Sequence, residues 1–374
     1  MTEPGWFEVQ GIMNIAQRIK EILSEYDLGD LVAFEKNERG FVNTSFAIDT
    51  IQEGQPRRLF FRQYKREISE EELLFEHSLI DHLRERGYPP VAEVIRTKIG
   101  KTYVIQEGFG PETGPRFYAI FEYLPGEDRY TWVETRISPR EAAQSGKVFA
   151  QFHNAVSNFS PQGRRAEPAI LELLPSLDEL LTNWTTHSKQ TTFDRVLMEN
   201  ATIIHLEIHQ VLDQLPILIH ELPRLVVHCD YHPGNLKFQD ESVVGLFDFD
   251  WSKVDYRCFD LGLAIFYFFS GWEAGENGVF RMKTCRAFVN AYQEECRRLG
   301  CVSPVTPSEI EALPCMVRAG NLYVLNWTLL DFMHKNVDID EYLAYLVHAI
   351  ETIRWLAQPA NMGSLRQILT ELSE

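Results

Sequence analysis

The stretch VVHCDYHPGN, residues 226–235, gathers His228, Cys229, Asp230 and His232, side chains that bind metals, attack electrophiles or take protons. A structural zinc site commonly joins two separated ligand pairs, and no partner pair accompanies this cluster. His205 and His209 in HLEIH have i, i+4 spacing. The Glu lies midway between them rather than in the H-E-x-x-H position, so they read as a solvated helix face. A catalytic thiol needs surroundings that lower its pKa; nothing near Cys229 supplies them, and it reads as a small residue in a packed loop. The residues downstream point elsewhere: Asn235 comes five residues after Asp230, and the apolar run VVGLF leads into Asp248 and Asp250 in FDFDW. A base, an amide and a carboxylate on one hairpin suit phosphoryl transfer from ATP, because Mg2+ takes oxygen ligands and an acceptor hydroxyl must be positioned and deprotonated. In that chemistry Asp230 accepts the hydroxyl proton, while Asn235 and Asp248 hold Mg2+ against the phosphates.

The elements that position these groups fall into two blocks. Between Leu31 and Leu124 the runs LVAFEK, TSFAIDT, RRLFFRQY, KTYVIQEG and RFYAIFEYL are β-branched or aromatic and bounded by Gly, Pro and Asn, as strands are. SEEELLFEHSLIDHLRERG opens on Ser69, carries Glu72 three positions later and ends on Gly87, the pattern of a capped helix. The simplest architecture is a five-stranded antiparallel sheet with one intervening helix. Beyond LPGE the apolar spacing is mostly helical, interrupted by a β-rich island at 225–249 that carries the cluster. The boundary falls near Pro125 and Gly126, giving a lobe over 1–125 and a larger, mainly helical lobe over 126–374.

A chain of 374 residues, 45% of them hydrophobic, buries a large core and has room for two such lobes. With 36 Lys+Arg against 54 Asp+Glu, its net charge of −18 repels nucleic acid and anionic membranes in general, so an anionic ligand needs a local basic patch. The N-terminal residues lack a secretory leader pattern. The run LGLAIFYFF is too short to span a bilayer. Six cysteines without C-x-x-C pairs suit a reducing cytoplasm.

HCDYHPGN resembles the H-x-D-x-x-x-x-N loop, and LFDFD the metal-binding D-F-x segment, of the aminoglycoside phosphotransferase and choline kinase superfamily. The resemblance implies an α+β, protein-kinase-like bilobal fold, with ATP and Mg2+ as cofactors and a small-molecule hydroxyl as acceptor. Gly40, Asn43 and Phe46 in NERGFVNTSFAI are similar to the family's phosphate-covering hairpin. LFFRQYK resembles the strand carrying the ATP-binding base, with Arg62 where the superfamily often has Lys and Lys65 as the competing cation. Glu76 falls where the helix Glu pairs with that base, and the backbone from Glu122 to Leu124 falls at the adenine hinge. DFDWSKVDYRCFDLG is similar to a run in choline and ethanolamine kinases, which makes Asp260 the buried carboxylate that braces the catalytic loop and gives His228 the same supporting role. FVNAYQEE and VTPSEIEALPCMVRAGNLYVLNW look more like homoserine-kinase-type members.

The expected activity is therefore phosphorylation of an amino alcohol or hydroxy amino acid, of the homoserine, choline or ethanolamine type. Alternatives are an aminoglycoside or methylthioribose-type sugar kinase, or an inactive nucleotide-binding scaffold. Nothing resembles the A-P-E that closes a protein-kinase activation loop. Asp250, Trp251, Tyr256, Trp272 and Trp327 suit a cationic acceptor, with Arg257 and Arg318 as partners for a carboxylate.

Overall fold

The computed structural model describes residues 6–37, 42–88, 90–109, 114–215, 219–300 and 303–370. The chain divides into two compact units: Met1–Glu85 with Pro90–Pro125 and Pro161–Gly163, and Arg86–Pro89 with Gly126–Ser160 and Arg164–Glu374.

The first unit runs α1 (Trp6–Leu23), β1 (Asp30–Asn37), β2 (Thr44–Gln52), β3 (Gln55–Gln63), α2 (Glu70–Glu85), β4 (Val104–Glu107) and β5 (Pro115–Glu122). The five strands form one antiparallel sheet in the order β1-β2-β3-β5-β4. Glu53 and Gly54, both at positive φ, turn β2 into β3 as a two-residue hairpin requires. Alternation sends Phe46, Ile48, Leu59, Phe61, Tyr118 and Ile120 to one face, where Ile19, Ile22 and Leu23 of α1 cover them. The sequence pattern predicts one helix in this lobe; α1 is a second, formed because those apolar residues recur at helical spacing. Helix α2 starts on the expected box, with Glu72 N–H donating to Ser69 Oγ at 3.2 Å and Ser69 N–H donating to Glu72 at 3.1 Å. Near α2, Gly163 lies so close that a Cβ would stand 2.1 Å from the Glu71 carbonyl, and Gln162 N–H donates to Ser78 Oγ at 3.0 Å.

The second unit comprises α3 (Pro139–Ala155), α4 (Ile170–Thr182), α5 (Thr192–Gln214), β6 (Arg224–Val227), β7 (Leu236–Gln239), β8 (Ser242–Leu246), β9 (Lys253–Tyr256), α6 (Arg257–Phe269), α7 (Met282–Leu299), α8 (Pro307–His334), α9 (Ile339–Leu356) and α10 (Pro359–Thr370). Two small antiparallel ribbons, β6 with β9 and β7 with β8, make up the β-rich island. Every residue of α6 is buried, which explains why LGLAIFYFF is apolar on all sides. Among the described residues no helix is long and apolar enough to cross a membrane. Gly262 of α6 and Gly320 of α8 let the two helix backbones meet: a Cβ on Gly262 would stand 2.6 Å from Met316 C, and one on Gly320 2.9 Å from Leu263 Cα. At the start of α6, Arg257 forks onto Glu309, the capping-box residue of α8, so one carboxylate ties both helix ends.

Candidate active site

The catalytic-loop candidates sit where β6 leaves its ribbon. Asp260, fully buried on α6, accepts His228 N–H at 2.8 Å and Cys229 N–H at 2.9 Å, and His153 Nε2 of α3 meets it at 3.0 Å. The other His153 nitrogen meets Tyr292 Oη at 2.7 Å. Burial pushes His153 below its ordinary pKa despite Asp260 pulling it up, so a neutral imidazole donates one proton and accepts another. These bonds hold Cys229 at φ 65°, a left-handed conformation that L-residues other than glycine adopt at a cost. Its thiol is pushed well up by burial, which removes it as a nucleophile. Next door, Asp230 N–H donates to His228 Nδ1 at 3.3 Å.

The Asp230 side chain keeps 18% of its surface exposed. Asn235, on the short turn Pro233–Asn235, donates Nδ2–H to Asp230 Oδ2 at 2.8 Å and to its carbonyl at 2.9 Å. His232 lies 3.5 Å from the same carboxylate through Nε2, while its Nδ1 accepts Gly234 N–H at 3.0 Å. That bond assigns the imidazole proton to Nε2, facing Asp230. Burial pushes the Asp230 carboxyl up, but His232, His228 and the Asn235 amide outweigh it and hold the group below the usual carboxylate value. Tyr267 of α6, also beside Asp230, is pushed well up by burial and by that charge. Phe247 N–H donates to the Asn235 carbonyl at 3.2 Å, which ties the segment carrying Asp248 to the loop. Asp248 is half-buried at φ 68°, and Asp250 is buried.

In the first unit, Arg62 on β3 lies opposite Ser45 and Ala119 and makes a buried ion pair with Glu76 of α2 at 3.1 Å. Tyr64 Oη donates to the other Glu76 oxygen at 3.0 Å. Lys65 lies beyond the end of β3, and its N–H donates to Asn43 Oδ1 at 3.0 Å. Glu122 is exposed, pairs with Arg84 at 3.2 Å and donates its N–H to the Glu93 carbonyl at 2.9 Å, while Leu124 is buried. Gly40 lies outside the described residues.

The sequence pattern did not reveal an aromatic cluster around Trp132. That residue, in the segment after Gly126, meets Tyr345 at 4.5 Å, Trp272 at 5.0 Å and Trp327 at 6.3 Å between ring centroids. Trp272 stacks on His348 at 3.6 Å. The three tryptophans are half-buried. Thr131 borders the loop that carries Asp230 and Asn235, since a Cβ on Gly234 would stand 2.9 Å from its carbonyl carbon. Of the aromatics singled out in the sequence, Trp272 and Trp327 join this cluster. Tyr256 instead caps α6 and takes the Arg224 guanidinium 5.3 Å over its ring. Arg257 and Arg318 are engaged by Glu309 and Glu207, which corrects the reading of them as carboxylate receptors. Trp132 is visible in the sequence as one more tryptophan, but nothing local joins it to α9.

The family model for the Phosphotransferase enzyme family matches residues 34–295. The chain is 26% identical over 354 residues to a homoserine kinase of Parvibaculum lavamentivorans, covering 93% of this chain and 96% of that one. Among solved structures, a microcompartment-associated aminopropanol kinase is similar with a TM-score of 0.61 and 15% identity, over 92% of this chain and 96% of that one. An amicoumacin kinase in complex with AMP-PNP and Ca2+ is similar with a TM-score of 0.62 and 14% identity, over 94% and 96%.

Proposed function

The chain belongs to the phosphotransferase enzyme family and is a small-molecule kinase acting on a hydroxyl; from that premise we propose that it uses ATP and Mg2+ and that its acceptor carries an amine, as an amino alcohol or hydroxy amino acid does. The observation that carries the reading is the Asp230 carboxylate, kept ionised and pinned by Asn235 on a loop braced by Asp260. Asp230 takes the acceptor proton as the oxygen attacks phosphorus. Asn235 Nδ2 is engaged by Asp230, so the Asn235 Oδ1 and the Asp248 carboxylate are the atoms for Mg2+, a donor set of hard oxygens that fits this ion. When bound, the ion neutralises charge on the transferring phosphoryl group. Arg62, oriented by Glu76, carries the phosphates, and a bidentate guanidinium serves in place of Lys. Because Glu122 N–H is engaged by Glu93, adenine takes the Glu122 carbonyl and Leu124 N–H.

The half-buried rings of Trp132, Trp272 and Trp327 give an ammonium group aromatic faces, worth about 0.5 to 2 kcal/mol each when the cation is desolvated. A coupled ADP-release screen over ethanolamine, choline, homoserine, methylthioribose, neutral sugars and aminoglycosides tests the proposal. The best acceptor is expected to carry an amine near its hydroxyl, and Trp272→Ala to raise the KM for that acceptor roughly 2- to 30-fold while leaving the KM for ATP near that of wild type. Neutral sugars outperforming every amine would overturn the acceptor class; Mg2+-independent turnover would overturn the metal role.

A further inference from the structure

Helices α4 and α5 bring together three side chains that phosphoryl transfer leaves unused. His205 and His209 lie one turn apart on α5, and Asp178 reaches them from α4. Asp178 Oδ1 is 2.6 Å from His205 Nδ1 and 3.6 Å from His209 Nε2, and the three candidate ligand atoms all lie within 4.8 Å of one another. Their side chains keep 25%, 28% and 59% of their surface exposed, so the cluster is open to solvent.

We propose that Asp178, His205 and His209 bind a divalent transition metal ion of the zinc, cobalt and nickel class. Ligands placed tetrahedrally about 2.0 to 2.1 Å from zinc stand roughly 3.3 Å apart. The His209–Asp178 separation already approaches that edge. The shorter His205–Asp178 separation is a hydrogen bond, which opens by about 0.7 Å when the metal replaces the shared proton. Binding at His205 Nδ1 moves the imidazole proton to Nε2, with no net gain or loss of protons at that ring. Two imidazoles and one carboxylate leave coordination positions for water and discriminate against Mg2+ and Ca2+, which prefer all-oxygen shells. The sequence alone did not suggest this site because the third ligand comes from 27 residues earlier, on another helix. The bound ion would add a tie between α4 and α5 beside the His205–Asp178 hydrogen bond.

The test is isothermal titration of the tag-free, EDTA-treated full chain with ZnCl2, in excess Mg2+ and ADP so that oxygen-ligand sites are filled. Wild type is expected to bind one more equivalent than the His205→Ala/His209→Ala variant, and Asp178→Asn to bind that equivalent at least roughly tenfold more weakly. Zinc is expected to raise the thermal midpoint of wild type but not of the double variant. If the double variant folds poorly, His209→Gln, at the most exposed ligand, gives the same comparison. Equal stoichiometry and equal midpoint shifts in wild type and variants would overturn the proposal.

Discussion

Replacing Asp260 with Asn tests whether the catalytic loop depends on one buried carboxylate. The side chain accepts two backbone N–H groups and His153, all within 3.0 Å and away from water. An amide of the same volume has one acceptor oxygen, so its NH2 must face a donor. At least one buried N–H loses its partner, and the remaining bonds fall from charge-assisted to neutral; together these cost about 3 to 5 kcal/mol of stability. The functional loss has a separate route. Freed from Asp260, Cys229 relaxes out of its left-handed conformation and swings Asp230, the next residue, away from its position. A displacement near 1 Å costs about 100-fold in rate. Urea unfolding and steady-state kcat with the acceptor from the screen read the two effects. Adding Cys229→Gly to the Asn variant should return part of kcat, since glycine holds positive φ without strain. The reasoning fails if Asp260→Asn loses less than about 1 kcal/mol and keeps kcat within threefold.

Asp230→Asn preserves the Asn235 contact through its carbonyl oxygen but removes the base, so kcat should fall about 100- to 10,000-fold with little change in ATP affinity measured by nucleotide titration. Asp248→Ala should abolish Mg2+-dependent turnover while leaving the thermal midpoint near that of wild type; an unchanged Mg2+ titration of activity would count against it as a ligand. His77 and His348, both pushed down to about 3 by burial, stay neutral in the folded chain while the unfolded chain protonates near 6.5. Their contribution is full above that pH and is lost as pH falls towards 3, at about 1.4 kcal/mol per unit for each ring; urea midpoints between pH 7 and 4 should fall, and His77→Gln/His348→Gln should flatten the slope.

What is legible in the sequence is what the chain keeps local. Asp230, Asn235 and Asp248 lie on one β-rich excursion, so their spacing alone is enough to suggest the chemistry proposed for them. The Ser69–Glu72 box needs only a single helical turn. The sequence leaves Arg62 and Lys65 open because it does not show where β3 stops; the strand ends at Gln63, beyond which Lys65 lies, while Arg62 sits opposite Ser45 and Ala119, which favours Arg62 in the proposed phosphate role. The His153 support for Asp260 spans 107 residues and two helices. The Trp132 cluster draws on two loops, α8 and α9. No periodicity within any one of these elements encodes the meeting, because helix packing sets which faces meet, and packing is decided by the whole core.

Backbone strain is the least legible feature of all. Cys229 and Asp248 are two of five non-glycine residues at positive φ among the described residues; one lies in the proposed catalytic loop and the other is the metal-ligand candidate. Glycine would take either conformation at lower cost, yet neither position has it. At Asp248 the proposed metal role requires a carboxylate, so the conformation has to be held from outside: Phe247 N–H bonds to the Asn235 carbonyl just before it, and Ser252 N–H bonds to the Phe249 carbonyl just after. At Cys229 no reacting group is required, and Asp260 supplies the restraint through the residue's own N–H. A glycine there would add freedom to the unfolded chain and to the loop, whereas a side chain buried in a fixed pocket leaves Asp230 a single approach. The same carboxylate that makes the strain tolerable therefore also fixes where Asp230, the proposed base, stands, which is why a residue outside the proposed reacting groups is expected to control the rate.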